Sequence, residues 1–389
     1  GTIMKALVLT GIKQFEIQEL DTPEIQPNEV LINTAYAGVC GTDHDLYAGR
    51  PGSAPAVPPI ILGHENSGVV AAIGSEVTNV KVGDRVAVDP NIYCGQCEYC
   101  LTQRPELCDH LSAVGVTRNG GLAERFTAPA TVVYKLPDNV SLRDAAAIEP
   151  VSCAVHGLDL LKLRPYQKAL VIGDGFMGQI FAQLLQPTAC TRWTSPASST
   201  RSCSATGAVR RHRTYNTTRE QIPADSYDVI VEAVGLPTTQ AQAVAAAKKG
   251  AQVLMFGVGP QEAHFEMNTY DIYKKQLTIQ GSFINPLTFR DAISLVSSGK
   301  MNIGGLISHE LELEQVQDFL DGKVTGVPRP SSRLASDIAN GLAIVLKIVA
   351  AAYSPLPRRP SLCIKLDAVA RWLWYLPRIS VLIHTIPHS

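Results

Sequence analysis

"KALVIGDGFMGQIFAQLLQ" (residues 168–186) passes from a short apolar run through three glycines into a pattern of helical period. Residues 168–173 are aliphatic, brief and closed by glycine, which reads as a buried strand. Gly173, Gly175 and Gly178 then fit G-x-G-x-x-G, and the residues after them read as a helix. In that setting Gly173 permits the tight turn, Gly175 lets a pyrophosphate approach the backbone, and Gly178 lets helix and strand pack closely. The free N–H groups at the helix start suit the phosphates of a dinucleotide. Phe176 and Met177 lie inside the turn and Gly257 lies in a later strand run, and these three join the candidate nucleotide contacts. The plainer alternative is the same turn with no nucleotide on it.

Outward from this turn, "DVIVEAVG" (228–235), "TTQAQAVAAAKKG" (238–250) and "AQVLMFGVG" (251–259) alternate strand, helix and strand, and a helical stretch at 150–161 precedes the glycines. Alternation of that kind predicts a parallel sheet wound with helices. The texture before about residue 145 differs. "MKALVL" (4–9), "EVLINTAY" (29–36) and "VGDRVAV" (82–88) read as short strands, with Gly and Pro punctuating the region as a small barrel requires. The expected fold class is α/β, a small β-barrel beside a doubly wound parallel sheet.

The 389 residues are 46% hydrophobic and 18% charged with a net charge of −1, an ordinary globular profile long enough for two or three domains. No run of about 18 uncharged apolar residues predicts a membrane span. No secretory leader pattern opens the chain, Gly1–Ile3 ahead of Met4 read as a cloning remnant, and a cytoplasmic location is expected.

"CGQCEYCLTQRPELC" (94–108) places Cys94, Cys97, Cys100 and Cys108 at steps that suit a tetrahedral four-thiolate Zn²⁺. Disulfides are the competing reading. The odd total of nine cysteines and a chain long enough for its own core weigh against them. A four-sulfur site is closed and structural, so the chemistry must lie elsewhere. An open zinc site needs about three protein ligands. "GVCGTDHD" (38–45) offers Cys40, and "LGHENSG" (62–68) offers His64 and Glu65.

With those residues in view, "GHENSGVVAAIGSEV" (63–77) resembles the signature G-H-E-x₂-G-x₅-G of the zinc-containing medium-chain dehydrogenases. "CGTD", the four-cysteine lobe and "GDGFMG" follow the same family in the same order, and the likeness covers about residues 4–186 and 214–327. "IEPVSCAVHG" (148–157) resembles the polyol, threonine and sugar dehydrogenase branch, in which a carboxylate, here Glu149, stands where simple alcohol dehydrogenases have cysteine; Cys153 is the alternative ligand. The resemblance implies a GroES-like catalytic barrel over 1–148, a Rossmann domain over 149–285, a return to the catalytic domain over 286–327 and a tail over 328–389. It implies one catalytic zinc held by Cys40 and His64, with Glu65 and Glu149 completing or exchanging in its shell, and one structural zinc on the four cysteines. Asp43 would orient His64 through its second ring nitrogen. Zinc would lower the pKa of the substrate hydroxyl, the alkoxide would pass a hydride to NAD or NADP, and Thr42 would carry the proton outward. Many relatives have histidine five residues after the ligand cysteine; here that place is Asp45, with His44 one earlier, so the outer proton path departs from the common pattern.

The likeness fails in two stretches. A dinucleotide fold calls for a second strand ending in an acid that holds the ribose. Residues 187–213 instead carry five arginines, no acid or lysine and no strand period. Residues 328–389 match nothing familiar. The two stretches hold Trp193, Trp372 and Trp374, all the tryptophans of the chain, and carry +5 and +6, so the remainder is −1 − 5 − 6 = −12. That shared bias is read as a shifted reading frame; the rivals are a basic insertion for NADP's extra phosphate and an interaction tail. The expected activity is hydride transfer between a secondary alcohol (polyol, sugar alcohol or sugar) and NAD(P). The alternatives are an aldose dehydrogenase acting at the anomeric carbon and a non-catalytic zinc-ribbon module. Nucleic acid is not an expected partner, because the core at −12 lacks a basic face. Neither is a membrane. The family likeness implies a homodimer or homotetramer paired near "LTIQGSF" (277–283).

Overall fold

The strand Gln167–Ile172 occupies the middle of a six-stranded, all-parallel sheet in the computed structural model. The structure describes residues 2–186, 189–195, 213–216, 220–323 and 343–347. From edge to edge the sheet runs Arg213–Asn216, Ala189–Ser195, Gln167–Ile172, Tyr227–Glu232, Ala247–Met255, Thr278–Gly281. That order is doubly wound, and its switch point falls between Gln167–Ile172 and Tyr227–Glu232, where a crevice opens at the carboxyl ends of the strands. Alternate residues of the central strands enter two cores. Ala169, Val171, Val229 and Val231 meet the helices Ile148–Asp159 and Phe176–Leu185 on one face. Leu170, Ile172 and Ile230 meet Ala243 and Ala246 of the helix Pro237–Ala246 on the other. Burial on both faces explains why these strands read as unbroken apolar runs.

The second sheet is the barrel. Its path runs Val133–Lys135, Arg85–Val88, Glu65–Ile73, Glu29–Val39, Ala343–Lys347, Ile307–Leu311, with Arg125–Pro129 also paired to Glu29–Val39. Ile3–Gly11 pairs with Gln14–Asp21 and with Ile60–Ile61 in a smaller sheet. The α/β class, barrel plus doubly wound sheet, is the one expected.

Three local readings change. Ala189–Ser195 forms the second parallel strand, from Gln167↔Ala189 to Ile172↔Thr194, although no strand period is visible there. Open backbone donors and acceptors on Gln167–Ile172 template that pairing whatever the side chains, so sheet context overrides local pattern. The helix expected over 238–250 ends at Ala246, and the next strand begins at Ala247. Ala343–Lys347, inside the unfamiliar last stretch, pairs antiparallel with Glu29–Val39 and parallel with Ile307–Leu311. The rest of 187–213 and 328–389, with Trp372, Trp374 and the arginines 201, 210 and 211, lies outside the described residues. Residues 1–351 make one compact unit; the second, 352–389, also lies outside them. Among the described residues no helix is long and apolar enough to cross a membrane.

Candidate active site and metal centres

Strand Glu29–Val39 leads directly into Cys40, which caps the short helix Gly41–Tyr47. The Thr42 N–H donates to Cys40 Sγ at 3.3 Å, and Cys40 N donates to Asp43 Oδ2 at 3.0 Å. This reciprocal cap aims the sulfur off the end of the strand. The neighbouring strand Glu65–Ile73 pairs antiparallel with Glu29–Val39, with Gly38 opposite Glu65. His64, just ahead of that strand, brings Nε2 to 3.2 Å from Cys40 Sγ. Its other nitrogen, Nδ1, lies 3.5 Å from Asp43 Oδ1. Cys40, His64 and Glu65 each offer a ligand atom, and these atoms all lie within 4.8 Å of one another.

Glu149 stands beside this group rather than within it. It lies in the first turn of Ile148–Asp159, where Cys153 Sγ donates to its Oε1 at 3.2 Å. Its charge nevertheless acts on Glu65.

Burial makes this a costly place for acids. Asp43, His64, Glu65 and Glu149 are all under 10% exposed. Desolvation pushes the Cys40 thiol up to about 11 and, with the nearby Glu149 and Asp43 charges, the Glu65 carboxyl up to about 8. Desolvation also raises Glu149, while the buried imidazole of His64 rises despite desolvation because Cys40 and Asp43 favour its charged form. A divalent cation among these donors reverses the penalty on the acids, because coordination stabilises thiolate and carboxylate. Among the described residues His64 Nδ1 and Asp43 Oδ1 have no other polar partner and face each other at 3.5 Å, as a carboxylate that sets the tautomer of a ligating histidine would. The donor set, sulfur, imidazole nitrogen and carboxylate oxygen, fits zinc.

One residue that sequence reasoning missed is Gly38. A Cβ there would lie 1.9 Å from Glu65 Oε2, so only glycine leaves the carboxylate its place. The signal was present: a glycine inside a strand marks a close approach.

The second group is Cys94, Cys97, Cys100 and Cys108, whose sulfurs also converge within 4.8 Å. Cys94 Sγ and Cys100 Sγ stand 3.9 Å apart, and Cys40, Cys94, Cys97, Cys100, Cys108 and Cys153 are free thiols. A disulfide needs about 2.05 Å, whereas a tetrahedron with Zn–S near 2.3 Å has edges of about 3.8 Å. Backbone N–H groups of Cys94 and His110 point at Cys108 Sγ, and that of Cys97 at Cys94 Sγ, each at 3.4 Å. Backbone hydrogen bonds at Cys100 and Asp109 draw the Cys97 thiol down to about 6, while desolvation pushes Cys100 up to about 12. The lobe therefore already favours one thiolate at neutral pH, and it fits a four-sulfur zinc.

At the cofactor crevice Gly173 has φ +116, and a Cβ on Gly178 would lie 2.0 Å from Gly173 O. Gly175 caps the helix Phe176–Leu185 with extended backbone, and Phe176 and Met177 open that helix. A Cβ on Gly257 would meet Gly235 N at 2.2 Å, which packs two crevice loops together. His44 and Asp45 are both held by Arg50, at 3.3 Å to His44 Nδ1 and 2.5 Å to Asp45 Oδ1.

Residues 26–138 match the model of the alcohol dehydrogenase GroES-like domain, and residues 203–298 that of the zinc-binding dehydrogenases. The chain is 32% identical over 329 residues to D-arabinitol dehydrogenase 1 of Uromyces fabae, covering 82% of this chain and 93% of that protein. It is 32% identical over 337 residues to a D-xylulose reductase A of Aspergillus clavatus, covering 80% and 91%. A Sinorhizobium meliloti chain solved with NADP and described as a zinc-binding dehydrogenase superposes with TM-score 0.79 at 28% identity, covering 89% of this chain and 100% of that one.

Proposed function

The chain belongs to the zinc-dependent medium-chain alcohol and polyol dehydrogenases, and from that premise we propose that it interconverts a five-carbon polyol and its ketose, the D-arabinitol or D-xylulose class. It is an oxidoreductase that uses Zn²⁺ and NAD(P). The observation that carries the reading is the convergence of Cys40, His64 and Glu65 on one buried point at the strand end.

In our reading the residues divide the work as follows. Cys40, His64 and Glu65 hold the catalytic metal, with Glu149 beside them exchanging into the shell; Cys94, Cys97, Cys100 and Cys108 hold the structural one. Bound zinc supplies the positive charge that makes an alcohol hydroxyl acidic near neutral pH, and bound nicotinamide supplies the hydride acceptor. Asp43 fixes the His64 ring so that Nε2 faces the metal side. Thr42 passes the hydroxyl proton outward towards the His44–Asp45–Arg50 rim. Gly173, Gly175, Phe176, Met177, Gly178 and Gly257 shape the dinucleotide crevice.

The domain division we propose is a catalytic barrel over 1–148 and 286–327, a dinucleotide domain over 149–285 and a tail over 328–389, whose strand Ala343–Lys347 joins the barrel sheet. We also propose a cytoplasmic homodimer or homotetramer paired through the edge strand Thr278–Gly281. Tyr273 and Leu287 near that edge are exposed at 79% and 77%, which supports the pairing. Zinc assay together with a panel of polyols and sugars, read at 340 nm with both nicotinamides, tests the function. Two zinc per chain with turnover of D-arabinitol or D-xylulose is expected. Zinc-loaded protein that turns over only aldoses would move the substrate to the anomeric carbon.

A further inference from the structure

Asn285 sits in the loop after the last strand of the parallel sheet and is fully buried. Both ends of its amide are engaged. Nδ2 donates to Ser152 Oγ at 2.6 Å and to Asp89 Oδ1 at 3.3 Å, and Oδ1 accepts from Asn91 Nδ2 at 2.6 Å. Ser152 Oγ in turn donates to the carbonyl of Glu149 at 2.6 Å, and Thr288 Oγ1 donates to the carbonyl of Ser152 at 2.8 Å. Asn285 and Thr288 thus grip Ser152 at its hydroxyl and its carbonyl, one helical turn beyond Glu149.

Two further observations give this node a purpose. The helix Ile148–Asp159 starts at Ala147 with no side-chain cap, so no capping side chain fixes its first turn. Ile284 and Leu287, which bracket Asn285, have φ +47 and +61. A β-branched residue in the left-handed region is strained and persists only where the surroundings impose it. Here the imposed shape turns Asn285 inward, to the meeting point of the Glu149 helix, the Asp89–Asn91 segment of the barrel and the dinucleotide sheet.

We infer that Asn285 is a positioning residue for Glu149, fixing the helix turn that carries this carboxylate relative to the cofactor sheet. The inference rests on the reading of Glu149 as a carboxylate of the catalytic site. Loss of the node lets the turn drift without removing a metal ligand or a cofactor contact. The reaction step then suffers while binding persists.

The test uses the full-length, zinc-loaded protein with D-arabinitol as the probe alcohol. Asn285→Ala is expected to lower kcat at least tenfold and leave KM within threefold. Zinc should stay at two per chain, and the nicotinamide Kd, by fluorescence, within twofold. Amide hydrogen exchange should accelerate across 148–156 and stay unchanged across 94–108, a readout that needs no turnover. Ser152→Ala, a milder variant should Asn285→Ala fold poorly, is expected to lose less, and the double variant no more than Asn285→Ala alone. The inference is overturned by a kcat within twofold of the parent, by exchange across 148–156 that does not change, or by activity that falls only in step with zinc. Glu149→Ala, run in parallel, separates the two readings. If it is impaired while Asn285→Ala is not, only the positioning role fails. If Glu149→Ala turns over like the parent, the reading of Glu149 itself fails, and the positioning role with it.

Discussion

Asp43 uses its two carboxylate oxygens for two different tasks: Oδ2 accepts the Cys40 N–H at 3.0 Å, and Oδ1 faces His64 Nδ1 at 3.5 Å. One buried side chain therefore couples the cap that aims the sulfur to the orientation of the imidazole. Asp43→Ala should cost about 1 kcal/mol from the lost cap. It should also lower metal affinity or activity by roughly 10–100-fold from the freed histidine. Zinc titration and thermal melts on the same preparation separate the two losses. Normal zinc affinity in a destabilised variant would confine Asp43 to capping.

The two metal groups should fail differently. Cys97→Ser opens a closed four-sulfur site and is expected to abolish folding or soluble expression, since structural zinc contributes directly to folding. Cys40→Ser should leave the melting temperature within a few degrees and remove turnover. A stable Cys97→Ser with an active Cys40→Ser would reverse the assignment of the two sites.

The adenosine end of the cofactor site is expected to lack the acid that a dinucleotide fold places after its second strand. The strand Ala189–Ser195 is present, yet residues 187–213 contain no Asp or Glu to take the ribose hydroxyls. The loss expected from that is two charge-assisted hydrogen bonds of about 1.5–3 kcal/mol each, roughly tenfold or more in affinity per bond. Weak NAD binding is expected, and Ser195→Asp, at the end of the strand, should tighten it at least tenfold. Fluorescence titration of both nicotinamides decides; micromolar NAD affinity in the unmodified chain would mean that other groups hold the ribose.

Asp89 sets a pH trend. Desolvation first, then the Glu149 charge, pushes its carboxyl up to about 7 in spite of hydrogen bonds from Asn91 and Asn285. A raised carboxyl means that the folded state holds a proton the unfolded state has released. Its contribution is fully present below the ordinary carboxylate pKa and is lost as pH rises to about 7, on the order of a few kcal/mol in all. Asp89→Asn should flatten denaturant-measured stability between pH 4 and 7. An equally steep fall in the variant would place the titrating group elsewhere.

Much of this was legible in the chain itself. The glycine turn at 173–178, the strands around it and the cysteines at 94–108 declare themselves because each rests on short-range chemistry: backbone angles only glycine tolerates, apolar runs of strand length, thiol spacing within one loop. Cys40, His64 and Glu65 were legible as types, through motif. What the tertiary structure alone decided is which of them meet. Cys40 and His64 are 24 residues apart and touch only because two antiparallel strands place Gly38 opposite Glu65. Asp89 and Asn285 gave no sign of their roles, since these depend on partners distant along the chain, such as Ser152, 133 residues from Asn285. The strand Ala189–Ser195 shows the same limit from the other side. Its residues carry no strand pattern, and the open edge of Gln167–Ile172 supplies the pairing that local propensity does not.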